Sequence, residues 1–146
     1  MRVAIGSDHG GFDLKEKIKH YLLEKKITVI DYGTNSGESV DYPEYGEKVG
    51  HAVVSGDFDF GIVLCGTGIG ISIAANKVKG VRAALIYDIE TARLAKEHNN
   101  ANVIAIGGRT TSYEKAISMI DTFMQTTFEQ RHLRRLEKIK NIEGKE

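Results

Sequence analysis

The single cysteine, Cys65, ends the apolar run Phe60 to Leu64 and is followed by Gly66, Thr67, Gly68, Ile69 and Gly70. The run has the length and composition of a buried strand, and Ile69 to Asn76 opens a helix, so the glycines occupy a strand-to-helix turn. Glycines let the backbone approach a ligand closely, and the unpaired N–H groups of a helix start carry partial positive charge, which makes such a turn an anion site. The same field favours a thiolate at Cys65 over a thiol. Cys65 is therefore a candidate base or nucleophile, although a lone cysteine at a strand end also serves as a small inert hydrophobe.

Three familiar loop chemistries fail against these letters. A phosphate loop of the nucleotide-hydrolysing kind needs a lysine before Ser or Thr, and Gly66 to Ser72 has none. A dinucleotide fingerprint needs G-x-G-x-x-G, whereas Gly66, Gly68 and Gly70 give G-x-G-x-G with Ile71 in the last place; Asp88 stands where a ribose contact would, and the cysteine stays unexplained. A cysteine-phosphatase loop of the C-x5-R type would put arginine at position 71, where this chain has Ile. Acid–base chemistry on a phosphorylated small molecule remains. A thiolate can remove a proton from carbon next to a carbonyl if donors hold the developing enolate oxygen, and the glycine turn offers such donors. Thr67 with His98 could open a closed sugar ring, although a histidine at a helix end is also an ordinary cap. The histidines at 9, 20, 51, 98 and 132 lack the spacing and cysteine partners of a zinc site, so no metal is expected.

The elements that must hold these residues alternate. Arg2 to Ser7 reads as a strand that breaks at a second glycine turn, Gly6 to Gly11, carrying Asp8 and His9. A helix follows with Leu14, Ile18, Tyr21 and Leu22 on one stripe and lysines and glutamates opposite, ending near Lys25 or Lys26. Ile27 to Tyr32 is a strand, Asp41-Tyr42-Pro43 leads into a helix from Glu44 to about Ser55, and Tyr42 either overhangs the cleft or is an ordinary half-buried tyrosine. Arg82 to Tyr87 is a strand, Asp88 caps the next helix, His98-Asn99-Asn100 ends it, and Val103 to Ile106 is the last strand before Gly107-Gly108-Arg109. Ala116, Ile117, Ile120, Phe123 and Met124 mark another helix, and Phe128 to about Ile142 a last one. Arg131 and Arg135 share a face of it, either as a phosphate clamp or as a solvated basic helix end. This order implies a five-stranded parallel sheet with helices on both faces, and a site at the carboxyl ends of the strands.

At 146 residues the chain is expected to form one domain. Lys plus Arg and Asp plus Glu both count 20, so no net basic field draws nucleic acid or an anionic membrane. One cysteine makes no internal disulfide, and neither a leader-like segment nor a long apolar span occurs, so a cytoplasmic setting is expected.

Taken together, Gly6-Ser7-Asp8-His9-Gly10-Gly11-Phe12, Asp41-Tyr42-Pro43, the run from Leu64 to Lys77, His98-Asn99-Asn100-Ala101-Asn102 and Gly107-Gly108-Arg109 resemble ribose-5-phosphate isomerase type B, from residue 1 to about 142. The resemblance implies a single-domain, three-layer α/β/α sandwich with a Rossmann-like sheet of order 2-1-3-5-4. It also implies a homodimer, in some members a tetramer, whose sites are shared between chains, with no cofactor. It implies that Cys65 moves the proton between C2 and C1 through an enediolate, and that Gly66, Gly68, Ile69 and Gly70 lie along the anion hole. Members without the cysteine use a glutamate a few residues on, where this chain has Ala74 and Ala75. Asp8 and His9 would bind the sugar, His98 with Thr67 would open the ring, Asn99 would meet substrate oxygens, and Tyr42 would lie at the cleft. Arg131 and Arg135, with Arg134 as rival, would bind phosphate, and Arg109 would face substrate; His98, Asn99 and Arg109 would come from the second subunit. The substrate would be ribose 5-phosphate, the alternatives being allose or galactose 6-phosphate or a non-catalytic binding module.

Overall fold

Five short, mostly apolar runs separated by amphipathic segments fold as the alternation requires. The computed structural model describes residues 1–145. Along the chain it contains β1 (Arg2–Ser7), α1 (Phe12–Glu24), β2 (Thr28–Asp31), α2 (Tyr42–Val54), β3 (Phe60–Cys65), α3 (Ile69–Ala75), β4 (Ala83–Leu85), α4 (Ile89–Glu97), β5 (Val103–Gly107), α5 (Tyr113–Gln125) and α6 (Leu133–Glu143). All strand pairs are parallel, in the order β2-β1-β3-β5-β4.

Side chains alternate across the central strands and build two cores. On one face Val3, Ile5, Ile62, Leu64, Ile104 and Ile106 meet α1, α4 and α5 through residues such as Ile18, Ala92 and Ile120. On the other, Ala4, Val63, Cys65, Val103 and Ala105 meet α2 and α3 through Val49, Val53, Ile71 and Ala75. The three layers expected from the resemblance are thus present. Because β2 lies on one side of β1 and β3 on the other, the crossovers part between β1 and β3, which opens a crevice above their carboxyl ends.

Three local departures from the sequence reading have physical causes. α2 begins at Tyr42 because Pro43, with its preset φ and missing N–H, suits a first helical turn. The last helix is broken: a 3-10 turn at Gln130–His132 precedes α6, because Glu129 N–H is drawn onto Glu97 O at 2.9 Å. Lys15, read on the polar side of α1, is fully buried.

Candidate active site

The strand exits are stitched to one another by backbone hydrogen bonds. Asp8 N donates to Leu64 O (3.2 Å), Gly108 N to Cys65 O (2.8 Å) and Arg109 N to Gly66 O (3.0 Å), so the loops after β1, β3 and β5 form one surface. Gly68 caps α3 at φ 79°, a left-handed conformation that favours glycine. That turn points Gly68 N–H at Cys65 Sγ, 3.2 Å away, and Thr67 Oγ1 accepts Ile69 N–H at 3.2 Å. Among the described residues the N–H groups of Gly66, Thr67, Gly70 and Ile71 take no protein acceptor. Cys65 itself is 5 % exposed, at the floor of the crevice.

Around this floor the structure gathers most of the residues singled out in the sequence. Asp8 is buried, with Oδ1 accepting Gly11 N–H at 3.2 Å. His9 Nδ1 meets the backbone of Val40, whose N–H lies at 3.2 Å. The Tyr42 ring roofs Gly70 so closely that a Cβ there would fall 2.5 Å from Tyr42 Cζ. The Arg109 guanidinium lies against Gly66 of its own chain, where a Cβ would be 3.2 Å from its Nη1. Arg109 therefore needs no second subunit to reach this loop, contrary to the sequence expectation.

His98, Asn99, Arg131 and Arg135 lie elsewhere. α4 starts past the carboxyl end of β4 and finishes just before β5 begins, so His98 and Asn99 sit at the amino edge of the sheet, opposite Cys65. The His98 and His132 rings stack with centroids 4.3 Å apart. Arg131 Nε bonds Glu129 at 2.6 Å, and Arg135 Nη1 donates to His132 Nδ1 at 2.8 Å, so the two arginines flank a histidine that the sequence reading did not select. Its signal was present: Arg131-His132 and Arg134-Arg135 form a compact basic run. Burial first, then the neighbouring cations Arg131, His98 and Arg135, push the His132 imidazolium down from its ordinary value. Glu97, His98 and Glu129 also converge, with ligand-type atoms within 4.8 Å, a cluster invisible in the spacing; Arg93 and Arg131 pair with its two carboxylates.

Two buried side-chain atoms among the described residues have no hydrogen-bond partner: Ser7 Oγ, next to Asp8, and His132 Nε2. Each edge of the sheet thus carries one polar group that the protein alone leaves unsatisfied. On α3 and beyond β4, Ile69, Ile73, Tyr87 and Ile89 are 47 to 59 % exposed, an apolar surface beside the Cys65 loop.

A thiol under backbone donors above the carboxyl ends of a 2-1-3-5-4 parallel sheet is a site suited to proton transfer beside a developing anion. The chain belongs to the Ribose/Galactose Isomerase family, which it matches over residues 3–139. Ribose-5-phosphate isomerase B of Escherichia coli K12 is 45% identical over 143 residues, 97% of this chain and 96% of that protein. The galactose-6-phosphate isomerase subunit LacB of Clostridium acetobutylicum is 50% identical over 128 residues, 88% of this chain and 74% of that protein. Among solved structures, ribose-5-phosphate isomerase B of Clostridium thermocellum superposes with a TM-score of 0.97 at 50% identity, covering 99% of each chain. The Mycoplasma genitalium enzyme with bound ribulose-5-phosphate gives 0.94 at 40% identity, covering 99% of this chain and 97% of that one.

Proposed function

We propose that the chain interconverts D-ribose 5-phosphate and D-ribulose 5-phosphate, with Cys65 as the base that carries a proton between C2 and C1. The observation that carries this reading is Gly68 N–H aimed at Cys65 Sγ beside four unpartnered backbone N–H groups. The open amides are placed to receive the oxygen that gains charge in an enediolate. Asp8 Oδ2, free of the cap made by Oδ1, is the acceptor for sugar hydroxyls, and the Arg109 guanidinium lies beside Gly66.

One chain supplies this half only. Ring opening by His98 and phosphate binding by Arg131, His132 and Arg135 require the amino edge of a second copy brought over the crevice of the first. The exposed Ile69, Ile73, Tyr87 and Ile89 surface suits such an apposition, and it supports a homodimer with shared sites. A free thiol as base fits a reducing cytoplasm. Among the described residues no helix is long and apolar enough to cross a membrane.

The Cys65→Ala variant is expected to bind sugar phosphate while losing at least about a thousandfold in kcat. It should also stop exchanging the C2 hydrogen of ribose 5-phosphate with deuterated water; exchange at the wild-type rate would remove the thiolate from the mechanism. Galactose 6-phosphate is the second reading, favoured by the LacB relative, although the ribose enzyme of E. coli matches over far more of its length. A panel of five- and six-carbon aldose phosphates compared by kcat/KM decides between them.

A further inference from the structure

The largest fully buried side chain among the described residues is charged. Lys15, on α1, is 0 % exposed, and its Nζ lies 2.5 Å from Asp31 Oδ2 and 3.2 Å from Glu16 Oε1. Lys19, on the same helix and partly exposed, reaches the same Asp31 oxygen at 2.8 Å. A buried ammonium persists only where a carboxylate compensates it, and apolar replacements of such pairs commonly leave a protein as stable or more so. Stability alone is therefore a poor account of Lys15.

The other oxygen of Asp31 points toward the site. Oδ1 accepts Gly33 N–H at 2.8 Å, Gly33 O accepts Ser7 N–H at 2.7 Å, and Ser7 O accepts Thr34 N–H at 2.7 Å. β2 ends at Asp31, so β1 at Ser7 would have no partner on that side without this turn. Ser7 immediately precedes Asp8. The buried Thr34 opens the loop that runs to Val40, the backbone partner of His9. Both residues read as sugar-binding thus hang from one turn, and one buried ion pair holds that turn.

We infer that Lys15 is a positioning residue of the active site: through Asp31 it clamps the Gly33–Thr34 turn onto Ser7 and so sets the place of Asp8 and His9. The inference rests on the isomerase reading for its effect on turnover, and on hydrogen bonding alone for its effect on the backbone.

The test is a Lys15→Met/Asp31→Leu double variant, which removes both charges and the oxygen that holds Gly33 while filling the same space. It is expected to melt cooperatively near the wild-type temperature, to lose about tenfold or more in kcat/KM for ribose 5-phosphate, and to keep its inhibition constant for inorganic phosphate within about twofold. Amide exchange at Ser7 and Thr34 should quicken by about tenfold or more. In an Asp8→Ala/His9→Ala background the same change should alter kcat/KM by less than about twofold, because its effect passes through those two residues. A folded double variant with wild-type kcat/KM and wild-type exchange at Ser7 and Thr34 overturns the inference. Should that variant fail to fold, Lys15→Met alone takes the buried ammonium from the carboxylate while Lys19 still pairs it, and is expected to quicken exchange at Ser7 and Thr34 by a smaller factor; no shift is equally fatal. A wild type that turns over no sugar phosphate would sink the isomerase reading alone, with the exchange rates still deciding the clamp.

Discussion

His132 shows how much one residue's protonation is settled by its neighbours. Arginine can only donate, so the 2.8 Å contact with Arg135 makes Nδ1 of His132 an acceptor and places the proton on Nε2. A neutral imidazole is thereby held among cations, with its Nε2–H buried and without a protein partner. Because the folded protein holds this group below its unfolded value, the unfolded chain takes up the proton first as pH falls. Stability is therefore fully present above about pH 6.5 and declines below it. Nitrogen-15 NMR of the ring is expected to report the neutral Nε2–H tautomer at pH 7, and a doubly protonated ring there would contradict this. The burial of His132 is not legible in the sequence because a histidine in a basic run looks like solvated surface until the chain folds.

At the scale of elements, helix starts and the α1–β2 clamp carry separable effects. Ser112 Oγ accepts Lys115 N–H at 3.2 Å and caps α5, which lies on the face of the sheet away from Cys65. Ser112→Ala is expected to lower unfolding free energy by about 1 kcal/mol in a denaturant titration and to leave kcat/KM at the wild-type value. The clamp responds to acid instead. Burial pushes the Asp31 carboxyl up, but the Lys15 and Lys19 ammoniums and the Gly33 N–H outweigh it and hold it below its ordinary value. A carboxylate depressed in the folded state contributes stability that is present above its unfolded value of about 3.9 and is lost as pH falls through the folded value. Asp31→Asn should accordingly flatten the acid limb of the stability curve below about pH 4, and an acid limb like that of wild type would deny Asp31 this part. Lys15 was misread because helical periodicity assigns every charged residue to solvent. Only the arrival of β2 alongside α1 brings a carboxylate to meet it.

For the whole molecule, Cys65 and Arg131 lie at opposite edges of the sheet, and the proposed reading therefore assigns catalysis to two chains. A Cys65→Ala chain and an Arg131→Ala/Arg135→Ala chain, each inactive alone, are expected to recover roughly a quarter of wild-type activity when unfolded together and refolded as an equal mixture. Half of the dimers would then be mixed, each with one intact site of two; no recovery in a mixture shown to contain mixed dimers would place both halves within one chain. What the sequence determined by itself was local in origin: the strand–glycine–helix turns, the parallel order that puts Asp8, Cys65, Thr67 and Arg109 at strand exits, and the chemistry a thiol can perform under backbone donors. These follow from residue type and from spacings of a few positions, because backbone geometry and hydrophobic periodicity act over that range. The tertiary structure alone decided that Arg109 lies on Gly66 of its own chain, that His98 stacks on His132 at the far edge, and that Lys15 lies buried against Asp31. Each depends on contacts between elements far apart in the chain, where packing and the need to pair buried charge outweigh any local preference.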